Sequence, residues 1–134
     1  MTAENLSVIV IDDDQDVRLV MKLAFEVDGR FDVIALGESA DDAVALTAAH
    51  QPDAIVLDVR MPDVDGLTVL PSIRREAPDA KVMLFSVLDE ELMGPELQAA
   101  GADDYLPKGT SPAEIIDRLA DLCVDRGDVD GQSA

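Results

Sequence analysis

Short apolar runs alternate along the chain with longer stretches in which apolar residues recur every three or four positions. The short runs are rich in valine, isoleucine and leucine and are too brief for helices, so they predict β-strands. The strands are expected at residues 6–11, 31–36, 54–57, 81–86 and 104–108. The run at 54–57 contains no polar residue, which predicts a strand that is buried on both faces.

Helix signals fill the intervals between these strands. Gly29 is expected to end the first helix, and Ser39 begins a sequence that resembles a capping box at the start of the second. Pro71 falls inside the third helical pattern, which predicts a kink or a ragged first turn. Pro95 suits the first position of a short fourth helix, and Ser111, followed by a proline, is a strong start signal for the fifth.

Strand and helix therefore alternate five times, which implies a parallel sheet with helices on both faces. Right-handed crossovers leave few topologies. We expect an α/β, doubly wound, flavodoxin-like fold with five strands in the order 2-1-3-4-5. The length of 134 residues suggests one domain, expected at residues 1–124, while the acidic, glycine-containing segment 125–134 predicts a disordered tail.

The charge of the chain limits its partners. A formal net charge of −19 argues against direct binding of this domain to nucleic acid or to an anionic membrane, and favours cations and basic partners. The single cysteine, Cys123, excludes an internal disulfide and fits a cytoplasmic protein. No signal peptide is recognisable, and no apolar run approaches the length of a membrane span.

Polar side chains stand at the carboxyl ends of four predicted strands, where ligands bind in folds of this class. Asp12 and Asp13 follow the first strand and Asp58 follows the third, while Ser86 ends the fourth and Lys108 ends the fifth. Three crowded carboxylates repel one another, and a hard cation relieves the repulsion; Mg²⁺ is expected because it takes few carboxylates and accepts phosphate oxygens. Lys108 and Ser86 suit the oxygens of a phosphoryl group, with Asp58 as the nucleophile that forms an acyl phosphate.

Each of these residues alone has a simpler interpretation. Asp58 alone would more often serve a turn, and the aspartates after the first strand would often cap a helix. Ser86 would be an ordinary strand-end serine, and Lys108 a solvated surface charge. The prediction therefore depends on the combination, in which each residue stands at the appropriate end of its strand.

These motifs resemble the receiver domain of two-component response regulators, and the resemblance extends over residues 6 to about 124. It is carried by residues 8–14, 57–66 and 100–108 and by Ser86. The segment after the site lysine is similar to that of LuxR/NarL-like receivers, which precede helix-turn-helix output domains. Many receivers have a proline after that lysine, whereas this chain has Gly109.

The resemblance implies that Asp58 accepts a phosphoryl group from a sensor histidine kinase or a phosphotransfer protein. It implies that Asp12 and Asp13 hold Mg²⁺ together with Asp58 and the backbone carbonyl of Arg60. Lys108 would contact the phosphoryl group.

The resemblance also implies a switch. Ser86 and Tyr105 would be the switch pair, while Arg60 and Leu88 would flank the phosphoryl group and, since neither supplies a base, leave it long-lived. Phosphorylation is expected to re-order residues 87–100. The face made by the fourth helix, the fifth strand and the fifth helix would then bind an output domain, a protein partner or a second copy in a homodimer.

Two other functions compete with this switch, which is not a turnover enzyme. A haloacid-dehalogenase-like phosphatase also uses a strand-end aspartate with Mg²⁺, but that class needs a second aspartate where this chain has Arg60. A pseudo-receiver would serve as a protein-binding scaffold without phosphorylation, and the complete set of site residues counts against it.

Overall fold

The computed structural model describes residues 5–60, 66–86 and 101–133, with side chains except at 66, 67, 86 and 125–133. Its strands are β1 Leu6–Ile11, β2 Phe31–Gly37, β3 Ala54–Asp58, β4 Lys81–Ser86 and β5 Asp104–Pro107. Its helices are α1 Gln15–Asp28, α2 Ala40–His50, α3 Gly66–Glu76 and α4 Pro112–Ser133. None of the described helices is both long and apolar enough to cross a membrane.

The five strands form one parallel sheet in the order β2-β1-β3-β4-β5, which confirms the predicted topology. The register pairs Ile11 of β1 with Leu57 of β3, and Asp58 with Phe85 of β4. The carboxyl ends of the central strands therefore lie side by side, and the residues that follow Ile11 come next to Asp58.

The sheet separates two apolar cores, because successive strand residues point to opposite faces. One core packs against α2 and α3 and contains the strand residues Ile9, Ile11, Ile55, Leu57, Val82 and Leu84. The other packs against α1 and α4 and contains Val8, Val10, Ala54, Val56, Met83 and Phe85. All five residues of β3 are buried, as the uninterrupted apolar run predicts.

The predicted helix ends are confirmed at three places. Gly29 ends α1 in the left-handed region, at φ +88°, where a residue without a side chain is favoured. The hydroxyl of Ser39 accepts a hydrogen bond from the Asp42 amide at the start of α2. The hydroxyl of Ser111 accepts one from the Glu114 amide, 3.2 Å away, at the start of α4.

The chain departs from prediction at its end. α4 continues to Ser133, so the segment 125–134, predicted to be disordered, is helical as far as that residue. A helix that has already formed adds residues far more readily than it nucleates, and no proline follows Pro112 to stop it. α3 contains Pro71 in its interior. The helix predicted to begin at Pro95 lies outside the described residues.

Candidate functional site

Two buried aspartates lie together at the carboxyl edge of the sheet. Asp12 directly follows β1, Asp58 ends β3, and their exposures are only 1% and 2%. The register that pairs Ile11 with Leu57 makes them neighbours. Burying two carboxylates costs free energy unless their charges are compensated, so their environment must supply positive charge or protons.

Lys108 supplies that charge from the turn after β5. Its Nζ atom lies 3.2 Å from Asp12 Oδ2 and 3.2 Å from Asp58 Oδ2. The ammonium also stands 5.7 Å from the centroid of the Phe85 ring, within reach of a cation–π interaction. A single cation is thus shared between the two carboxylates.

The turn that presents Lys108 depends on the residue after it. Gly109 has φ +106°, a conformation that L side chains rarely adopt and that the fixed φ of proline excludes. The amide and hydroxyl of Thr110 close the turn by donating hydrogen bonds to the Pro107 carbonyl, at 3.1 and 2.7 Å. The glycine that distinguishes this chain from many receivers therefore fits the local geometry.

Backbone amides orient both carboxylates. Asp12 Oδ1 accepts a hydrogen bond of 2.9 Å from the Asp14 amide, and Asp58 Oδ1 accepts one of 3.0 Å from the Arg60 amide. The Oδ2 atom of each is thereby left to meet Lys108. Asp12 Oδ2 has no hydrogen-bond partner among the described residues, although it forms the ion pair with the ammonium.

Asp13 completes a set of three carboxylates suited to a metal ion. One oxygen from each of Asp12, Asp13 and Asp58 lies within 4.8 Å of the others, and Asp13 is exposed while the other two are buried. Carboxylate oxygens are the ligands that Mg²⁺ prefers, and an exposed side leaves room for the waters that it retains. Asp12 Oδ2 is a buried acceptor whose one close partner among the described residues is the Lys108 ammonium, so it has capacity left for such an ion, and the residues fit the predicted magnesium site.

The electrostatics of the site follow from burial and crowding. Burial, and then the negative charge of Asp12, raise the pKa of Asp58 from 3.8 to about 6. Burial lowers the pKa of Lys108, but Asp12 and Asp58 more than offset it, so that the pKa lies above its ordinary value. At neutral pH Lys108 is therefore charged and Asp58 is mostly ionised.

The structure describes the other predicted site residues only in part. Ser86 ends β4, next to the strand of Asp58, and its side chain is not among those described. Tyr105 lies on β5, partly buried against the α2 and α3 core. Arg60 is exposed and its amide contacts the site, while Leu88 lies outside the described residues.

Sequence reasoning missed two residues of the site. Phe85 lies beneath the Lys108 ammonium, and Arg18 donates a hydrogen bond of 2.7 Å from Nη1 to the backbone carbonyl of Asp12. Phe85 is adjacent in sequence to the predicted Ser86, which is a weak signal for it. Arg18 stands in the first turns of α1, where an arginine carries no distinguishing pattern.

Comparison with known proteins places residues 8–120 in the family model described as the response regulator receiver domain. The nitrate/nitrite response regulator protein homolog of Haemophilus influenzae is 33% identical over 116 residues, covering 87% of this chain and 56% of its own length. The response regulator MprA of Mycolicibacterium vanbaalenii is 35% identical over 118 residues, covering 86% and 49%. The chain thus spans about half the length of the curated relatives it matches.

Solved structures agree with these matches. The signal receiver domain of the response regulator NarL from Mycobacterium tuberculosis superimposes with a TM-score of 0.84 at 31% identity, covering 90% of this chain and 98% of its own. A receiver domain protein from Methanospirillum hungatei has a TM-score of 0.85 at 18% identity, covering 93% and 98%, and shows the fold alone.

Proposed function

The chain belongs to the response regulator receiver domain family of two-component systems, and on this premise we propose that Asp58 accepts a phosphoryl group from a sensor histidine kinase or phosphotransfer protein. The observation that carries the proposal is the position of its carboxylate. Asp58 Oδ2 lies 3.2 Å from Lys108 Nζ, inside the cluster of three aspartates. The proposed nucleophile, the proposed cation for the phosphoryl oxygens and the proposed metal ligands therefore lie close together.

The chemistry requires no general base. A carboxyl whose pKa is about 6 is mostly ionised at neutral pH. An Asp58 oxygen forms the new bond to phosphorus as the bond between phosphorus and the donor atom breaks, which leaves an acyl phosphate. Lys108 is positioned to exchange its carboxylate contacts for contacts with phosphoryl oxygens, which are negatively charged like the carboxylates.

Mg²⁺ is the proposed cofactor, held by Asp12, Asp13 and Asp58 together with the backbone carbonyl of Arg60. When bound, it would neutralise negative charge on the phosphoryl oxygens. The burial of Asp12 Oδ2, which accepts no hydrogen bond from the described residues, and the 4.8 Å clustering of the three carboxylates support this assignment.

The proposed consequence of phosphorylation is a change of conformation. Ser86 and Tyr105 form the proposed switch pair, and β4 and β5 lie next to each other in the sheet. The output face would comprise residues 87–100, β5 and α4, and would bind an output domain, a protein partner or a second copy. Hydrogen exchange with and without beryllofluoride tests this: changes confined to α1 and α2 would contradict it.

A switch is favoured over the two alternatives. A phosphatase of the haloacid-dehalogenase type needs a second carboxylate where Arg60 stands, and Arg60 is exposed and contributes its amide to Asp58. A scaffold without phosphorylation does not require a shared lysine between two buried aspartates, an arrangement that costs free energy.

The direct experiment is labelling with acetyl phosphate and Mg²⁺, followed by intact-mass measurement. The parent should gain one phosphoryl group that hydroxylamine removes, and Asp58→Asn should gain none. Asp121→Asn, at an exposed position on α4, is the matched control and should label like the parent. Labelling of Asp58→Asn to the parent's extent at another residue, or no labelling of the parent, would refute the assignment.

A further inference from the structure

The loop that carries Asp13 needs support from elsewhere in the chain. Asp13 is exposed, and in the described part of the structure no hydrogen bond or ion pair holds its carboxylate. The carboxylate nevertheless lies within the 4.8 Å cluster with Asp12 and Asp58. Its position must therefore be set by its backbone, between Asp12 and Asp14.

Arg18 holds the backbone on both sides of Asp13. Its Nη1 donates a hydrogen bond of 2.7 Å to the Asp12 carbonyl, and its amide donates one of 3.1 Å to the Asp14 carbonyl. The Asp12 amide, in turn, donates to the Gly37 carbonyl at 3.1 Å. The backbone of Asp12 is thus hydrogen-bonded to the sheet through its amide and to α1 through its carbonyl.

The side-chain bond is the exceptional one. The bond from the Arg18 amide to Asp14 belongs to the first turn of α1 and would form with any residue except proline at this position. The bond from the guanidinium to the Asp12 carbonyl crosses from the helix to the end of β1 and depends on the side chain at position 18. A guanidinium is permanently charged, and a charge-assisted bond of this kind is stronger than a neutral one.

We infer that Arg18 is a positioning residue for the metal-binding carboxylates. It fixes the carbonyl of Asp12, and this sets the orientation of the backbone that carries Asp13. The inference rests on the proposed function, because it concerns the same magnesium site. Within the described residues, Arg18 forms no ion pair with a carboxylate, so it acts through the backbone.

Electrostatics and positioning predict opposite effects of removing Arg18. Removal of a positive charge near an acidic site should strengthen the binding of a divalent cation if only charge matters. Loss of a group that orients ligands should weaken metal binding, commonly by 10- to 100-fold. We expect about a tenfold weaker Mg²⁺ affinity in Arg18→Met.

Lys22→Met is the matched control. Lys22 lies on the same helix, is partly exposed, and pairs with Glu26, so the variant removes the same charge without touching the loop. Its Mg²⁺ affinity, measured by calorimetric titration of the full chain, should equal or slightly exceed that of the parent. Arg18→Lys keeps the charge and one donor, and should recover most of the affinity.

A second measurement needs no metal. In the presence of a chelator, amide hydrogen exchange of residues 12–15 should be faster in Arg18→Met than in the parent and in Lys22→Met. If Arg18→Met does not fold, both measurements are made on Arg18→Gln instead, with the same controls.

The outcomes separate this inference from the proposed function. If the parent binds Mg²⁺ and becomes phosphorylated, while Arg18→Met binds Mg²⁺ as tightly as Lys22→Met, the inference is wrong and the proposed function stands. A parent that neither binds Mg²⁺ nor accepts a phosphoryl group would overturn both. Weaker binding with faster exchange only in Arg18→Met would establish the positioning role.

Discussion

Lys108 and Asp58 are 50 residues apart in the chain, yet the lysine Nζ lies 3.2 Å from the aspartate Oδ2. The same ammonium lies 3.2 Å from Asp12 Oδ2. Without a metal ion, Lys108 is the cation that the described structure provides for both buried carboxylates. The Lys108 ammonium therefore stabilises the metal-free site. In the proposed function the same ammonium would contact a phosphoryl group.

Lys108→Met should destabilise the metal-free protein, and more at about pH 7.5 than at about pH 5. Removing the cation leaves two buried carboxylates uncompensated, while at the lower pH Asp58, whose pKa is about 6, is mostly protonated. Breaking a buried pair costs about 3–5 kcal/mol, and we expect roughly 1–3 here because the lysine is partly exposed. Urea unfolding with a chelator measures the loss, and an equal loss at both pH values would contradict the argument.

Asp58→Asn should stabilise the metal-free protein at neutral pH. The folded-state pKa of Asp58 is raised from 3.8 to about 6, chiefly by burial. Between these values the folded protein holds a proton that the unfolded chain has released, so stability falls as pH rises through the window and levels off above it. Removing this effect should raise the free energy of unfolding at about pH 7.5 by at most about 3 kcal/mol.

The quantity to compare is the difference in free energy of unfolding between Asp58→Asn and the parent at each pH, because other carboxylates titrate over the same pH range. Unfolding by urea is measured with a chelator at intervals from about pH 4 to about pH 7.5. Asp121→Asn, which removes an exposed carboxylate, should give a profile parallel to that of the parent. A parallel profile for Asp58→Asn as well would show that burial does not perturb this carboxyl.

Mg²⁺ should raise the melting temperature, because it binds only the assembled site and relieves the repulsion of three carboxylates. The gain should be largely lost in Asp13→Ala and retained in Asp121→Asn. Scanning calorimetry with monovalent salt at matched ionic strength separates the site from general screening of the −19 charge. Equal stabilisation by both salts would rule out specific binding.

The acyl phosphate should be long-lived. Arg60 is exposed and offers no base, and Leu88 is apolar, so neither residue positions and deprotonates an attacking water. Combining Arg60→Asn with Leu88→Glu should accelerate phosphate loss severalfold, followed by intact mass over time after removal of the donor. Slower loss in the double variant than in the parent would contradict this reasoning.

The convergence of Asp12, Asp58 and Lys108 was predictable because it depends on strand order and direction alone. In a parallel sheet the carboxyl ends of strands meet at one edge, and the register of Ile11 with Leu57 then makes the aspartates neighbours. The strand bounds predicted from the sequence, together with the strand order expected for this fold class, are enough to reach that conclusion.

The contact of Arg18 was not predictable, because it depends on the rotational phase of α1 relative to β1 and on a particular rotamer. The helical continuation of α4 to Ser133 was missed because composition describes a segment in isolation. It ignores that the segment follows a helix that Ser111 caps and that the core stabilises.

Arg74 joins α3 to the segment that leads into β5. Its Nε donates a hydrogen bond of 2.8 Å to the Gly101 carbonyl, and Nη1 donates to the Ala80 carbonyl. Its Nη2 forms an ion pair with Asp103, whose Oδ2 also accepts a bond of 2.8 Å from the Val82 amide. The planar guanidinium thus satisfies two backbone carbonyls and one carboxylate at once, which a lysine ammonium cannot do in the same geometry.

Arg74→Met should therefore lower the free energy of unfolding by about 2–3 kcal/mol, because it leaves partly buried acceptors without donors. Arg74→Lys should recover only part of the loss. Arg75→Met is the control: its residue is adjacent, carries the same charge, is exposed and contacts the Ser72 hydroxyl at 3.3 Å. It should change stability by less than about 0.5 kcal/mol. Urea unfolding of the three variants decides the matter, and equal losses for Arg74→Met and Arg75→Met would show that the network contributes nothing beyond surface charge.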